Sequence, residues 1–60
     1  MKQYYIIIKN GSHEVYGGDS KYSSNILKIA RSGSVILPLG NRRPQNIKSE
    51  CIKSFEGSVQ

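Results

Sequence analysis

One cysteine, one histidine and no tryptophan among 60 residues remove several kinds of chemistry at the outset. Cys51 has no partner for an internal disulfide, and Cys51 with His13 falls short of the four ligands of a closed zinc site. Acidic residues are equally scarce. Glu14, Asp19, Glu50 and Glu56 stand singly, so no two carboxylates are spaced for general acid–base work. No carboxylate is spaced to orient His13, no nucleophile stands beside a base, and Gly17-Gly18-Asp19 lacks the lysine and spacing of a phosphate loop. The residues therefore assign no catalytic group, no metal and no cofactor, and the expectation is a protein that is not an enzyme. His13 reads as an ordinary strand residue, and Cys51 as a small buried hydrophobe.

Long apolar runs are missing too. The stretch Tyr4 to Ile8 ends at Lys9, too short for a signal-peptide core and far too short to span a bilayer. Together with the cysteine usage this points to a soluble, cytoplasmic protein with no membrane partner. A chain of this length forms one domain over 1–60 and buries only about 60% of its unfolded surface. Small domains of this kind gain stability from disulfides, metals or self-association. With the first two removed, a homodimer is the expectation.

What is present is β-forming sequence and positive charge. Asn10-Gly11 marks a two-residue hairpin, because both central positions of a type I′ turn need positive φ. The implied register pairs Lys9 with Ser12, Ile8 with His13, Ile7 with Glu14, Ile6 with Val15 and Tyr5 with Tyr16. One side then carries Tyr4, Ile6, Ile8, His13 and Val15, and is expected to face the core. The other carries Tyr5, Ile7 and Tyr16 beside Lys9 and Glu14, an aromatic face suited to a second subunit or a ligand. Ser34 to Leu39, between Gly33 and Gly40, reads as one strand with turn punctuation at each end and as the centre of the stretch from Ile26 to Phe55.

Residues 20–31 admit two readings. In the helical one Asp19 or Ser20 caps the start, Tyr22, Ile26, Ile29 and Ala30 share a face, and Gly33 ends the helix in the left-handed region. In the extended one, 25–31 pairs with 34–39 across a Ser32-Gly33 turn. The extended reading is preferred for 26–31, with one helical turn at 20–24. Residues 40–46 form a polar loop interrupted by Pro44. A short strand at Ile47, a tight turn over 48–50 and a last strand over 51–56 follow, with 57–60 frayed. The fold expected is mainly β: a small five-stranded sheet or barrel-like domain with at most one short helix within about 20–31.

Nine Lys and Arg against four Asp and Glu give a net charge of +5, which concentrates anions around a chain this small. Arg42 and Arg43 sit in a loop stiffened by Pro44, and a guanidinium matches phosphate or carboxylate with two parallel hydrogen bonds. Lys28, Arg31, Lys48 and Lys53 complete the candidate set for an anion, a nucleotide or nucleic acid. Tyr5, Ile7 and Tyr16 are the candidate aromatic contact or oligomer face.

Two resemblances follow from these residues. Ile29 to Pro38, with Arg42 and Arg43 beyond it, resembles the hairpin of AbrB/MazE-type swapped-hairpin DNA-binding proteins, which implies an intertwined dimer with Arg31, Arg42 and Arg43 on DNA. The Lys/Ile/Ser/Asn-rich composition and the run Ile47 to Glu56 resemble small accessory proteins of phages infecting Gram-positive bacteria. That resemblance implies a place in the cytoplasm of a bacterial host cell and binding and disabling of a host factor, including antiviral defence components or their nucleotide signals. The leading expectation is a non-enzymatic, homo-oligomeric binding protein of this inhibitory kind, with a host protein or anionic nucleotide as partner. A small DNA- or RNA-binding regulator and a structural subunit of an assembly are the alternatives.

Overall fold

Asn10 at φ 52° and Gly11 at φ 79° make the tight turn that their chemistry calls for. They join β1 (Lys2–Lys9) to β2 (Ser12–Asp19), in the register expected from the sequence and continuing to Lys2 opposite Asp19. The computed structural model describes residues 1–31 and 33–57. Ser32 and residues 58–60, on which the expected Ser32-Gly33 turn and most of the expected fraying fall, lie outside the described residues.

After β2 the chain makes a 3-10 turn at Ser20–Tyr22, capped by the Asp19 carboxylate, which accepts from the Lys21 N–H at 3.1 Å. It then enters α1 (Asn25–Ala30). The preference for an extended 26–31 is thus corrected. Ile26, Ile29 and Ala30 are spaced to share one side of a helix, whereas a strand would divide them between two faces. Leu27, 70% exposed, takes the outer side. Six residues are too few to hold a helix by propensity, so packing and a hydrogen bond from Asn25 Nδ2 to the Phe55 carbonyl (3.0 Å) keep it in place.

The helix packs on the Tyr5/Ile7/Tyr16 side of the hairpin. Ile7, Tyr16, Ile26, Ala30 and Phe55 form the core, with Tyr5, Ile29 and Ile36 packed against it. Phe55 is fully buried and meets the Tyr5 ring edge-on at 5.4 Å between centroids. The core face is therefore the opposite of the one expected: Ile7 and Tyr16 are buried and Tyr5 is half-buried against them, under α1 and Phe55 rather than on a free contact face. A hairpin register says which residues share a side. It does not say which side the next element will cover.

β3 (Val35–Gly40) runs antiparallel to β1, with Val35 opposite Ile8, Leu37 opposite Ile6 and Pro38 opposite Tyr5, and a register shift between Tyr4 and Tyr5. In a two-residue hairpin the flanking pair is hydrogen-bonded, so β1 directs residues 5, 7 and 9 toward β2 and 6 and 8 toward β3. Pro38, opposite Tyr5, consequently turns its missing N–H away from the sheet, at the one edge where a proline is tolerated.

Residues 41–51 are irregular apart from a 3-10 turn at Ser49–Cys51, and lead to β4 (Ile52–Ser54), parallel to β2. The sheet is open, of four strands in the order β3-β1-β2-β4. The architecture is mainly β, as expected. Among the described residues it has four strands rather than five and does not close into a barrel, because 25–30 is helical and Ile47 lies outside any strand. β4 ends at Ser54 so that Phe55 can turn into the core. Cys51, expected to be buried, is exposed on the turn before it.

Arg31 ends α1 with φ 49° and ψ −176°, a conformation that suits glycine. Replacing it with glycine removes strain of about 1–3 kcal/mol and adds unfolded-state entropy worth about 0.4–1 kcal/mol. Arg31→Gly is expected to gain about 1 kcal/mol net, read as a higher urea midpoint at unchanged slope, whereas Arg31→Ala should show no gain.

Candidate functional site

The sheet has a second face, opposite α1, and the register assembles it. Leu37, Ile6, Val15 and Ile52 oppose one another in turn, an apolar row crossing all four strands. Val35, Ile8 and His13 form the next row toward the hairpin turn. No charged residue belongs to either row. Toward β4 the row is covered: Val15 is buried and Ile52 half-buried. Toward β3 it is bare, with Val35 53% and Leu37 43% exposed.

At the far end of this face, Lys2, Tyr4, Gly17, Arg43, Ser49 and Glu56 are among the residues lining a depression of about 260 Å³. Its floor depends on Gly17 lacking a side chain. A Cβ there would lie 2.8 Å from Cδ1 and Cε1 of Tyr4 and 3.2 Å from Cγ2 of Ile52, so the Tyr4 ring occupies space that any other residue would fill. Arg43 is brought in by the crossing segment 41–51 and donates from Nη2 to Ser49 Oγ. That leaves the other guanidinium N–H groups available. Glu56 accepts from the Asp19 N–H at 2.6 Å through Oε1. Among the described residues, neither Lys2 nor Arg43 has a carboxylate within ion-pair distance.

The six cations singled out in the sequence do not converge. Lys28 and Arg31 belong to α1 or its end, on the covered side of the sheet. Arg43 lines the depression on the other side, and Arg42 is exposed next to it, its N–H reaching the Leu39 carbonyl at 3.4 Å. Lys48 lines a wide, shallow hollow with His13, Val15, Ile47 and Cys51. Lys53 is already paired with Glu14 across β4 and β2. Lys2, Tyr4 and Gly17 were not singled out. The signal for them was present: extending the hairpin register beyond Tyr5 and Tyr16 sets an aromatic ring opposite a glycine. No group of three or more His, Cys, Asp or Glu that could hold a metal ion occurs among the described residues. Among the same residues no helix is long and apolar enough to cross a membrane.

The Lys53 ammonium hydrogen-bonded to Glu14 holds that carboxyl below its usual range, and the Lys21 backbone N–H does the same for Asp19. Burial raises the Tyr16 hydroxyl, helped by the neighbouring Glu14 charge. A carboxyl depressed in the folded state contributes stability that is complete above its unfolded value of about 4 and is lost as pH falls through the folded one. Stability is therefore expected to decline below roughly pH 5. Glu14→Gln should make that decline shallower by removing a small contribution at pH 7, with the two chains converging at acid pH, as measured by urea midpoints from pH 7 down through the acid range. Comparison with models of protein families, with characterised proteins and with solved structures finds no match to this chain.

Proposed function

We propose that this chain is a non-enzymatic binding protein that acts by occlusion, covering a surface on a protein partner with the open face of its sheet. One observation carries the reading: the uncharged rows containing Leu37, Ile6 and Ile8, with Val35 and Leu37 bare at the β3 side, in a chain that otherwise carries 13 charged residues, 9 basic and 4 acidic. An apolar sheet face left in water favours burial against another apolar surface, at about 25 cal/mol per Å². The net charge of +5 would steer the approach of an acidic partner. The occupant we assign is a host protein with an apolar patch set in an acidic surround, in keeping with the inhibitory phage proteins that the composition resembles. Action as a homodimer, the other possible use of this face, is distinguished by mass in solution.

The test compares two charge insertions of equal chemistry. Leu37→Lys with Val35→Lys alters the open face, and Leu27→Lys alters the exposed outer side of α1. In capture from bacterial lysate, a protein retained stoichiometrically by the wild type and by Leu27→Lys, but lost with the double variant, is the expected result. Equal retention by all three would sink the proposal, and so would a wild-type dimer that only the double variant dissociates.

The DNA- or RNA-binding reading has one observation in its favour, the closeness in sequence of Arg42, Arg43 and Lys48 within the crossing segment. Four phosphate contacts, counting Lys2, would weaken binding roughly a hundredfold between 50 and 200 mM salt. Occlusion of a protein predicts no measurable affinity for an arbitrary duplex by fluorescence anisotropy at either salt concentration. Tight, steeply salt-dependent binding would favour the regulator instead.

A further inference from the structure

The depression at the end of the open face brings together what a small ligand with one anionic group and one flat ring requires. Lys2 comes from the start of β1 and Arg43 from the crossing segment, so two cations distant in sequence meet at one place. Like charges brought near each other raise the local potential, and with two cations against the single Glu56 carboxylate the lining keeps a net positive charge that favours an anion. Glu56 lines the same depression, and its Oε1 is engaged by the Asp19 N–H. Arg43 is held through Ser49, which orders the guanidinium in advance and leaves its remaining donors for two parallel bonds to an oxyanion.

Tyr4 supplies the second element. Its ring lies over Gly17, where no side chain intervenes, and borders the depression. The ring lines the same depression as the two cations. Aromatic stacking of a base on such a ring strengthens binding by about fivefold to a hundredfold and tolerates any base. The volume of about 260 Å³ lies just below the usual range of about 300–1,000 Å³ for small-molecule pockets, which restricts the ligand to a small one held partly in the open.

We propose that the Lys2/Arg43/Tyr4 depression is a binding site for a nucleoside monophosphate or a closely similar ligand, with the phosphate between Lys2 and Arg43 and the base against Tyr4. This assignment is separate from the protein-covering role. Val35→Lys with Leu37→Lys should leave it intact, so either reading can fail without the other.

The experiment is a titration of the isotopically labelled full chain with AMP, adenosine and inorganic phosphate, followed by NMR. AMP is expected to shift the Tyr4 ring and Arg43 side-chain signals and to bind about tenfold or more tightly than either fragment. Arg43→Gln should weaken AMP and phosphate alike by about tenfold or more, and Arg43→Lys by less. Tyr4→Leu should weaken AMP by about tenfold and leave phosphate unchanged. Because Tyr4 also packs over Gly17, a Tyr4→Leu chain that fails to fold leaves the decision to the wild-type shifts and the Arg43 variants. AMP shifts confined to other residues, AMP no tighter than phosphate, or full binding by folded Arg43→Gln would each overturn the assignment.

Discussion

Phe55 holds the fold to a single covered face. It is the one large side chain among the described residues with no solvent contact, and its position closes the gap between α1 and the Tyr5/Ile7/Tyr16 side of the sheet. Its carbonyl takes the hydrogen bond from Asn25, so the last segment, the short helix and the hairpin are tied at one point. A domain of this length has too little apolar chain to cover a sheet twice. Once Phe55, Ile26 and Ala30 are committed to one side, the other must stay open or find its cover elsewhere.

That constraint explains how the remaining sequence is distributed. The crossing segment 41–51 brings Arg43, Ser49 and Ile47 over the uncovered side, and Ile52 completes the apolar row beside Val15. The cover is partial, densest near β4 and absent near β3. The free edge of β3 would invite pairing with another chain, and Pro38 counters it, since its missing N–H points outward and interrupts any added ladder. A face that is open beside an edge that is blocked favours association by surface contact over strand addition. The charges follow the same division, split between the helix side, the crossing segment and the exposed Glu14–Lys53 pair, which is why they do not form a continuous basic track.

Two glycines next to each other illustrate how closely the two faces are built. Gly17 makes room for the Tyr4 ring on the open side. A Cβ on Gly18 would instead meet Glu56 Cγ at 2.9 Å and Phe55 Cε1 at 3.3 Å on the covered side. A change at Gly17 would disturb the Tyr4 side, whereas one at Gly18 would press on Phe55 and on Glu56. The Glu14–Lys53 pair contributes little by itself, being exposed and screened, but it fastens β4 to β2 where only three residues pair.

Local chemistry by itself determined the hairpin and its register, the strand after Gly33, the irregular segment around Pro44 and the mainly β character. Each rests on a backbone preference that acts within a few residues, such as positive φ at Asn10 and Gly11. The choice of helix at Asn25–Ala30, the side on which it lies and the burial of Tyr5, Ile7 and Tyr16 were left to tertiary structure. For six residues, propensity is too weak to choose between helix and strand, and the decision falls to whichever face Phe55 and the hairpin offer for burial. The meeting of Lys2, Tyr4 and Arg43 is likewise a product of the fold, because residues about 40 positions apart become neighbours only when the chain crosses its own sheet.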